Sequence, residues 1–383
     1  MTAAEETPRP DRPAGDRIDR PAPVRPGEEL NAGRLAAYLR EHLPGATADL
    51  AEGGLAVEQF PSGYSNLTYL LRLGDRRLVL RRPPFGSTVA TAHDMAREHR
   101  ILAALAPVYP KAPRPLLFCA DEDVLGAPFY LMERVEGVIL RPAALSLPPP
   151  PERMAAVADA LVDTLAELHA VDWRAAGLAG LGRPEGYVER QVEGWAGRWR
   201  HAATGLDEGG DLPEIERVAA WLAEHRPPGS GAALIHNDFK HDNLVLAPGD
   251  WSRVLAVLDW EMATAGDPLM DLGTTLGYWV EPGDPPEILA LELSPSALPG
   301  SPGRAEVVER YARATGRDPG HAVFYYAYGL FKIAVIAQQI YARYRAGHTR
   351  DPRFANLHLG VAACARTAAQ AIALGRIDRL FEA

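Results

Sequence analysis

The sequence predicts an α+β chain, β-rich over its first third and mainly helical beyond it, and three observations carry that expectation. Short apolar runs of strand length fall over 55–60, 67–73, 77–82 and 129–132, all before residue 135. Long stretches of helical period dominate from residue 154 onward. Between the helical stretches, a run over 232–235 opens a polar loop, and a second run over 244–246 leaves it. The turn Pro248-Gly249-Asp250 then returns the chain through Val254 to Leu258, which reads as a β-hairpin.

Residues 1–27 mix Pro, Arg, Asp, Glu and Ala with almost no large apolar side chains, which predicts a disordered tail. The two parts of the chain are expected over 28–135 and 136–383. Leu35, Tyr38, Leu39 and Leu43 recur at helical spacing before Pro44-Gly45 and predict the first helix. Next come strands over 55–60 and 67–73 with the small-residue turn Ser62-Gly63-Tyr64-Ser65-Asn66 between them, then a third strand over 77–82. A helix over 93–105 places Glu98 near its middle. Phe129-Tyr130-Leu131-Met132 reads as a buried strand that Glu133 to Gly137 leaves. Beyond the Pro-rich 147–151 stretch, Val157, Leu161, Leu165 and Leu168 predict a long helix over 154–170. The stretch 186–200 gathers Tyr187, Arg190, Gln191, Trp195 and Trp199, which suits either an acceptor-binding surface or core anchors. The Ala-rich segments 304–344 and 356–381 are helical by period.

Composition bounds the classes of function. The chain has 383 residues, 47% apolar and 23% charged, which is ordinary for a globular protein with a large core. A formal charge of −10 argues against a nucleic-acid partner, which would require a basic face. Cys119 and Cys364 are too few for a disulfide framework. No apolar run approaches the ~20 residues of a membrane span, and the N-terminus lacks the apolar core of a signal peptide. A cytoplasmic protein without a membrane partner is expected.

The polar loop carries the chemistry. The hairpin would hold Asp238, Asn243 and Asp259 at one end, and an acid, an amide oxygen and a second acid make a hard-oxygen site suited to Mg²⁺. Protein kinases space an Asp five residues before an Asn, with a metal-binding Asp on a following strand, and Asp238 to Asn243 has that spacing. His236-x-Asp238-x-x-x-x-Asn243 followed by Asp259 resembles the catalytic core of the aminoglycoside phosphotransferase family, small-molecule relatives of the protein kinases. Four further segments resemble the branch associated with acyl-CoA dehydrogenases: Leu80-Arg81-Arg82-Pro83-Pro84, Met132 to Gly137, Gly186 to Gln191, and Gly266-Asp267-Pro268-Leu269-Met270-Asp271-Leu272-Gly273. The resemblance covers roughly residues 30 to 350 and implies a two-lobed, protein-kinase-like fold, with a small β-rich N-lobe and a larger, mainly helical C-lobe.

The resemblance implies a reaction and a set of roles. ATP would donate its γ-phosphate to a hydroxyl of a small molecule, with Asp238 as base and Asn243 and Asp259 on Mg²⁺. Ser62, Gly63, Ser65 and Asn66 would lie over the phosphates, and Arg81 would replace the usual phosphate-binding lysine with Glu98 as its partner. Arg82, pointing to the opposite face, would be a solvated cation. Main-chain groups of Glu133 and Val135 would meet adenine at the hinge. His236 would pack beneath the loop, and Asp271 would tie down the loop backbone. Tyr187, Arg190, Gln191 and Trp195 are the candidate acceptor contacts. The acceptor is expected to be a hydroxyacyl-thioester metabolite, with an aminoglycoside-type antibiotic or a nucleotide-binding protein without catalysis as alternatives. A metallohydrolase built on His236, Asp238, His241 and Asp242 leaves the glycine turn, Arg81 and Glu98 unexplained.

Overall fold

The computed structural model describes residues 20–60, 66–85, 94–141, 148–204, 212–349 and 352–382. The turn residues Ser62, Gly63 and Ser65 therefore lie outside the described residues. The N-lobe opens with α1 (Ala32–His42) and α2 (Ala46–Gly53) and continues through β1 (Leu55–Gln59), β2 (Leu67–Leu73) and β3 (Arg76–Arg82). Then come α3 (Met95–Leu105), β4 (Pro115–Cys119), α4 (Glu122–Leu125) and β5 (Phe129–Glu133). The five strands form one antiparallel sheet in the order β1-β2-β3-β5-β4. Leu35, Leu39, Tyr69, Leu71, Leu80 and Leu131 fill the core between that sheet and α1. Burying such aliphatic side chains contributes roughly 1.5–3 kcal/mol each. The chain is already seated on β1 at Ala22, whose backbone pairs with Gln59 ahead of the expected boundary at residue 28, and the Glu28 carbonyl accepts the Tyr69 hydroxyl at 2.7 Å.

The C-lobe comprises α5 (Pro151–His169), α6 (Tyr187–Ala203), α7 (Pro213–Glu224), β6 (Ala233–Ile235), β7 (Leu244–Ala247), β8 (Asp250–Val257) and β9 (Thr264–Gly266). It ends with α8 (Pro268–Tyr278), α9 (Pro286–Leu289), α10 (Arg304–Thr315), α11 (Ala322–Arg345) and α12 (Leu357–Leu374). The hairpin expected from the sequence is β7–β8. The run before the loop does not join it: β6 pairs with β9, so two separate two-stranded ribbons clamp the polar loop. Among the described residues α12 is the one helix long and apolar enough to cross a membrane, with mean hydropathy 1.3, and 44% of that stretch is buried inside the protein.

Two glycines set close approaches. Gly137, just past β5, runs so near β7 that a Cβ would collide with the Leu246 carbonyl and the Val245 side chain. Gly329 on α11 stands against the Gly273 carbonyl of α8, bringing those two helices into backbone contact.

Candidate active site

The polar loop is held from below by one carboxylate. Asp271 on α8 accepts the backbone N–H groups of His236 and Asn237, both at 2.7 Å, and the His169 Nε2 at 3.1 Å. Burial opposes its ionisation, but these donors outweigh it and hold the carboxyl below the usual range. The His236 ring is fully buried and neutral, since burial pushes its pKa down. Its Nε2 donates to the Leu258 carbonyl at 2.9 Å, and its Nδ1 accepts the Asp238 N–H at 3.3 Å. One tautomer thus ties the loop to the end of the hairpin. Asn237 and Asp259 both adopt left-handed backbone, with φ of 65° and 67°. Asn and Asp tolerate this conformation better than most residues, and non-glycine φ values of that kind gather at functional sites.

Asp238 is surrounded by donors. Tyr278 Oη donates to its Oδ1 at 2.8 Å, Lys240 Nζ lies 3.0 Å from Oδ2, and Asn243 Nδ2 donates to Oδ2 at 3.0 Å and to the Asp238 carbonyl at 2.7 Å. The Lys240 ammonium is half-buried; loss of solvent lowers its pKa, but the Asp238 charge outweighs this and raises it. With its Nδ2 so used, Asn243 faces the cleft with its amide oxygen. The backbone bond from Leu258 N–H to the Asn243 carbonyl, 2.8 Å, joins the two strands next to Asp259.

Arg81 stands where β3 meets the C-lobe. Its guanidinium pairs with Glu98 at 3.0 Å and with Asp259 at 2.8 Å. Burial works against the Arg81 charge, but the two carboxylates outweigh it and hold the pKa above its ordinary value. In turn Arg81 outweighs the effect of burial on Asp259 and keeps that carboxyl below the usual range. Glu98 sits in the first turn of α3, not near its middle, and also accepts the Trp260 N–H at 3.2 Å. Arg82 does point to the opposite face, but it is 2% exposed and not solvated. It donates to the Pro83 and Leu125 carbonyls at 3.0 and 2.9 Å, because the outer face of β3 is covered by α1 and the α4 turn.

Two cavities flank the loop. One is lined by Asn66, Arg81, Glu133, Val135, Asn243 and Asp259, which gathers the described residues expected around a nucleotide and its metal. The Glu133 N–H is taken by the Arg114 carbonyl at 2.9 Å. The second cavity, about 500 Å³, gathers the four candidate acceptor contacts, Tyr187, Arg190, Gln191 and Trp195. Tyr187 donates to Asn237 Oδ1 at 3.2 Å, and Trp195 Nε1 donates to Gln191 Oε1 at 3.2 Å. The cavities meet where Asn66 Nδ2 donates to Glu261 Oε2 at 2.6 Å. Sequence reasoning missed Glu261, Tyr278, Lys240, Arg97 and Lys332, which reach the site from five different places. The one local signal among them was Lys240, two residues after Asp238.

Residues 56–322 match the family model for APH, the phosphotransferase enzyme family. The chain belongs to this family. Among curated proteins it is 38% identical over 334 residues to acyl-CoA dehydrogenase family member 11 of Gallus gallus and 36% identical over 330 residues to that of Homo sapiens. Each match takes in 85% of this chain and 41% of the relative, so the chain spans about two fifths of their length. Among solved structures, a candidate aminoglycoside phosphotransferase from Ralstonia eutropha is 30% identical with a TM-score of 0.72, over 89% of this chain and 98% of that one. Choline kinase from Cryptosporidium parvum, 14% identical with a TM-score of 0.54 over 90% and 97%, shares the fold. This family member therefore has the two-lobed, kinase-like α+β fold that its sequence predicts, and the branch expected from its motifs is that of its curated relatives.

Two further bonds to carbonyls fix Asn237. Lys332 Nζ donates to the Asn237 carbonyl at 2.5 Å, and Asn237 Nδ2 donates to the Met262 carbonyl at 3.1 Å. The left-handed Asn237 is thus bonded through its N–H, its carbonyl and both side-chain atoms, next to the half-buried Asp238. Among the described residues no group of three or more His, Cys, Asp or Glu side chains could hold a metal by itself. Asn243 and Asp259 supply two hard oxygens on the cavity wall, which fits Mg²⁺, an ion that keeps several waters and takes substrate phosphates as further ligands.

Proposed function

We propose that this chain is an ATP-dependent phosphotransferase that moves the γ-phosphate to a hydroxyl of a small molecule, with Asp238 as base. The observation that carries the reading is the meeting of two cavities at the loop: Arg81, Asn243 and Asp259 line one, Asn237 and Tyr187 line the other, and Asp238 stands between Asn237 and Asn243 in the chain. Arg81 holds the donor phosphates in line with the acceptor, and its Glu98 and Asp259 partners fix the guanidinium. Asp238 orients the acceptor hydroxyl and takes its proton as the new O–P bond forms and the bond from the γ-phosphorus to the bridging oxygen breaks, releasing ADP. Asn243 and Asp259 would hold Mg²⁺, which when bound neutralises charge on the β- and γ-phosphates. Tyr278, Lys240 and Asn243 keep the Asp238 carboxylate in one orientation. Main chain at Glu133 and Val135 would receive adenine.

The name of the two curated relatives above, acyl-CoA dehydrogenase family member 11, supports an acceptor from acyl thioester metabolism, a hydroxyacyl-CoA in particular. The test is a screen for phosphate transfer from ATP over hydroxyacyl-CoAs, aminoglycosides and small amino alcohols. Transfer to a hydroxyacyl-CoA is expected, and Asp238→Ala should lower its rate by about 10²–10⁴-fold, the usual contribution of a general base. ATP binding without transfer to any acceptor would leave a nucleotide-binding protein instead, and near-normal turnover of the variant would remove Asp238 from the base role.

A further inference from the structure

Five cations line the second cavity: Arg97, Arg183, Arg190, Arg198 and Lys332. Among the described residues none has a carboxylate partner within ion-pair distance. Arg97 donates to the Glu261 and Ala263 carbonyls, Arg190 to the Glu185 and Arg183 carbonyls, and Lys332 to the Asn237 carbonyl. These bonds fix the groups in place without neutralising them. The Trp195 ring is flanked by two of the cations, with the Arg198 guanidinium 4.4 Å and the Lys332 ammonium 5.8 Å from its centroid. The one carboxylate on the cavity wall, Glu261, is bonded to Asn66 and lies 3.9 Å from Arg81 on the nucleotide side.

Two other buried cations are matched by carboxylates: Arg304 is bonded to Glu281 and Asp284, and Arg81 to Glu98 and Asp259. Arg82 is buried against carbonyls alone, but its guanidinium also lies over the Phe85 ring. A protein with ten more acidic than basic side chains could have matched the cavity in the same way. Leaving Lys332 charged and 1% exposed with only a carbonyl for a partner is unfavourable unless an anion completes the site.

We propose that this cavity is an anion subsite: the acceptor carries at least two negative charges, phosphate or carboxylate, seated between Lys332, Trp195 and Arg198 while its hydroxyl reaches Asp238. The inference rests on the phosphotransferase reading for the name acceptor, but the charge of the ligand follows from the cavity alone. It excludes polycationic acceptors such as aminoglycosides, which would meet five like charges. Arginine forks suit phosphate and carboxylate oxygens in pairs, and the ring between them offers a flat wall to the rest of the ligand.

Binding by itself tests this without any phosphate transfer. With the nucleotide cleft saturated by ADP, the intact protein is titrated calorimetrically with inorganic pyrophosphate, with citrate and with spermidine. Pyrophosphate or citrate should bind one-to-one, the stronger of the two telling which anion the site favours, and spermidine should not bind. Lys332→Met and Arg198→Met should each weaken the anion by at least tenfold while ADP affinity stays within twofold. Arg198 is on the surface, so that variant reports even where the buried one folds poorly. Anion affinity that is the same in wild type and both variants, no anion binding at all, or tighter binding of spermidine would each overturn the proposal. If the anion binds as expected and no acceptor is ever phosphorylated, the phosphotransferase reading fails and the subsite stands.

Discussion

Arg81 and Arg82 are neighbours on β3 with the same charge, yet strand alternation gives them unrelated partners. Arg81 faces carboxylates in the cleft; Arg82 faces carbonyls under α4. Arg81→Ala should raise the Michaelis constant for ATP and lower turnover, and it should also destabilise, since it leaves Glu98 buried without its cation. Arg82→Ala should lower the melting temperature, because two buried carbonyls lose donors and each such loss costs about 1–3 kcal/mol. It should leave the ATP Michaelis constant near wild type. Steady-state kinetics beside thermal melts of both variants separate the two outcomes. The reverse pattern would mean the phosphates are held by Arg82.

Lys332 makes a second prediction at the same scale. Burial pushes its pKa down to about 8, while a lysine in the unfolded chain titrates near ~10.4. Between those values the folded protein has lost a proton that the unfolded chain keeps, so stability rises with pH across that window. Below pH 8 the protein carries the full cost of the buried charge. Lys332→Met should therefore be more stable than wild type at pH 7, and the gain should shrink as the pH rises toward 10. Chemical denaturation of both proteins across that range checks it. A variant less stable at pH 7 would show that the bond to the Asn237 carbonyl outweighs the buried charge.

At the scale of elements, α8 and α11 are the pair that assembles the site. Helix α8 carries Asp271 and Tyr278 to the loop, and α11 carries Lys332 to the Asn237 carbonyl. Their crossing is set by Gly273 and Gly329, where neither helix has room for a Cβ. Gly329→Ala should force the helices apart and destabilise by about 1–3 kcal/mol, the usual range for overpacking. It should also weaken the second cavity more than the nucleotide cleft, since Lys332 lies three residues on along the same helix. Melting temperature and anion affinity, measured against ADP affinity, read the two effects. An unchanged melting temperature would mean the crossing tolerates the methyl group. The loop hairpin behaves in a parallel way: β7–β8 was legible from its turn, but the pairing of β6 with β9 was not, because β9 is three residues long and holds a glycine.

Across the whole molecule the two lobes share one core. Val79, Met95, Tyr130 and Met132 of the N-lobe pack in the same buried cluster as Leu161, Trp260 and Leu269 of the C-lobe. Arg97 and Asn66 add polar ties across the cleft, to the Glu261 and Ala263 carbonyls and to the Glu261 side chain. The protein should therefore unfold in one transition despite its size. All seven tryptophans, Trp173 to Trp279, lie in the C-lobe, whereas the five-stranded sheet is in the N-lobe. Tryptophan fluorescence and far-ultraviolet circular dichroism should thus give coincident melting curves. Separate midpoints would show that the outer N-lobe core around Leu35 and Tyr69 unfolds on its own.

The sequence by itself determined the elements whose signals are local. Strand β2 fell on its expected bounds because apolar residues fill 67–73 between two turns, and α1 and α5 followed from apolar residues at helical spacing. The spacing of Asp238 and Asn243, with Asp259 after a turn, was equally plain, since a hairpin brings such residues together whatever surrounds it. Only the tertiary structure decided which cations are matched and which are left open. Arg82 reads as a solvated side chain and is buried; Lys332, which no local pattern singles out, lies buried under the loop with no carboxylate partner among the described residues. Charge pairing depends on what arrives from distant parts of the chain: Arg81 meets Asp259 from 178 residues away, and Lys332 meets Asn237 from 95. Local pattern does not encode those meetings, because burial and Coulomb interaction depend on distance in space and not along the chain.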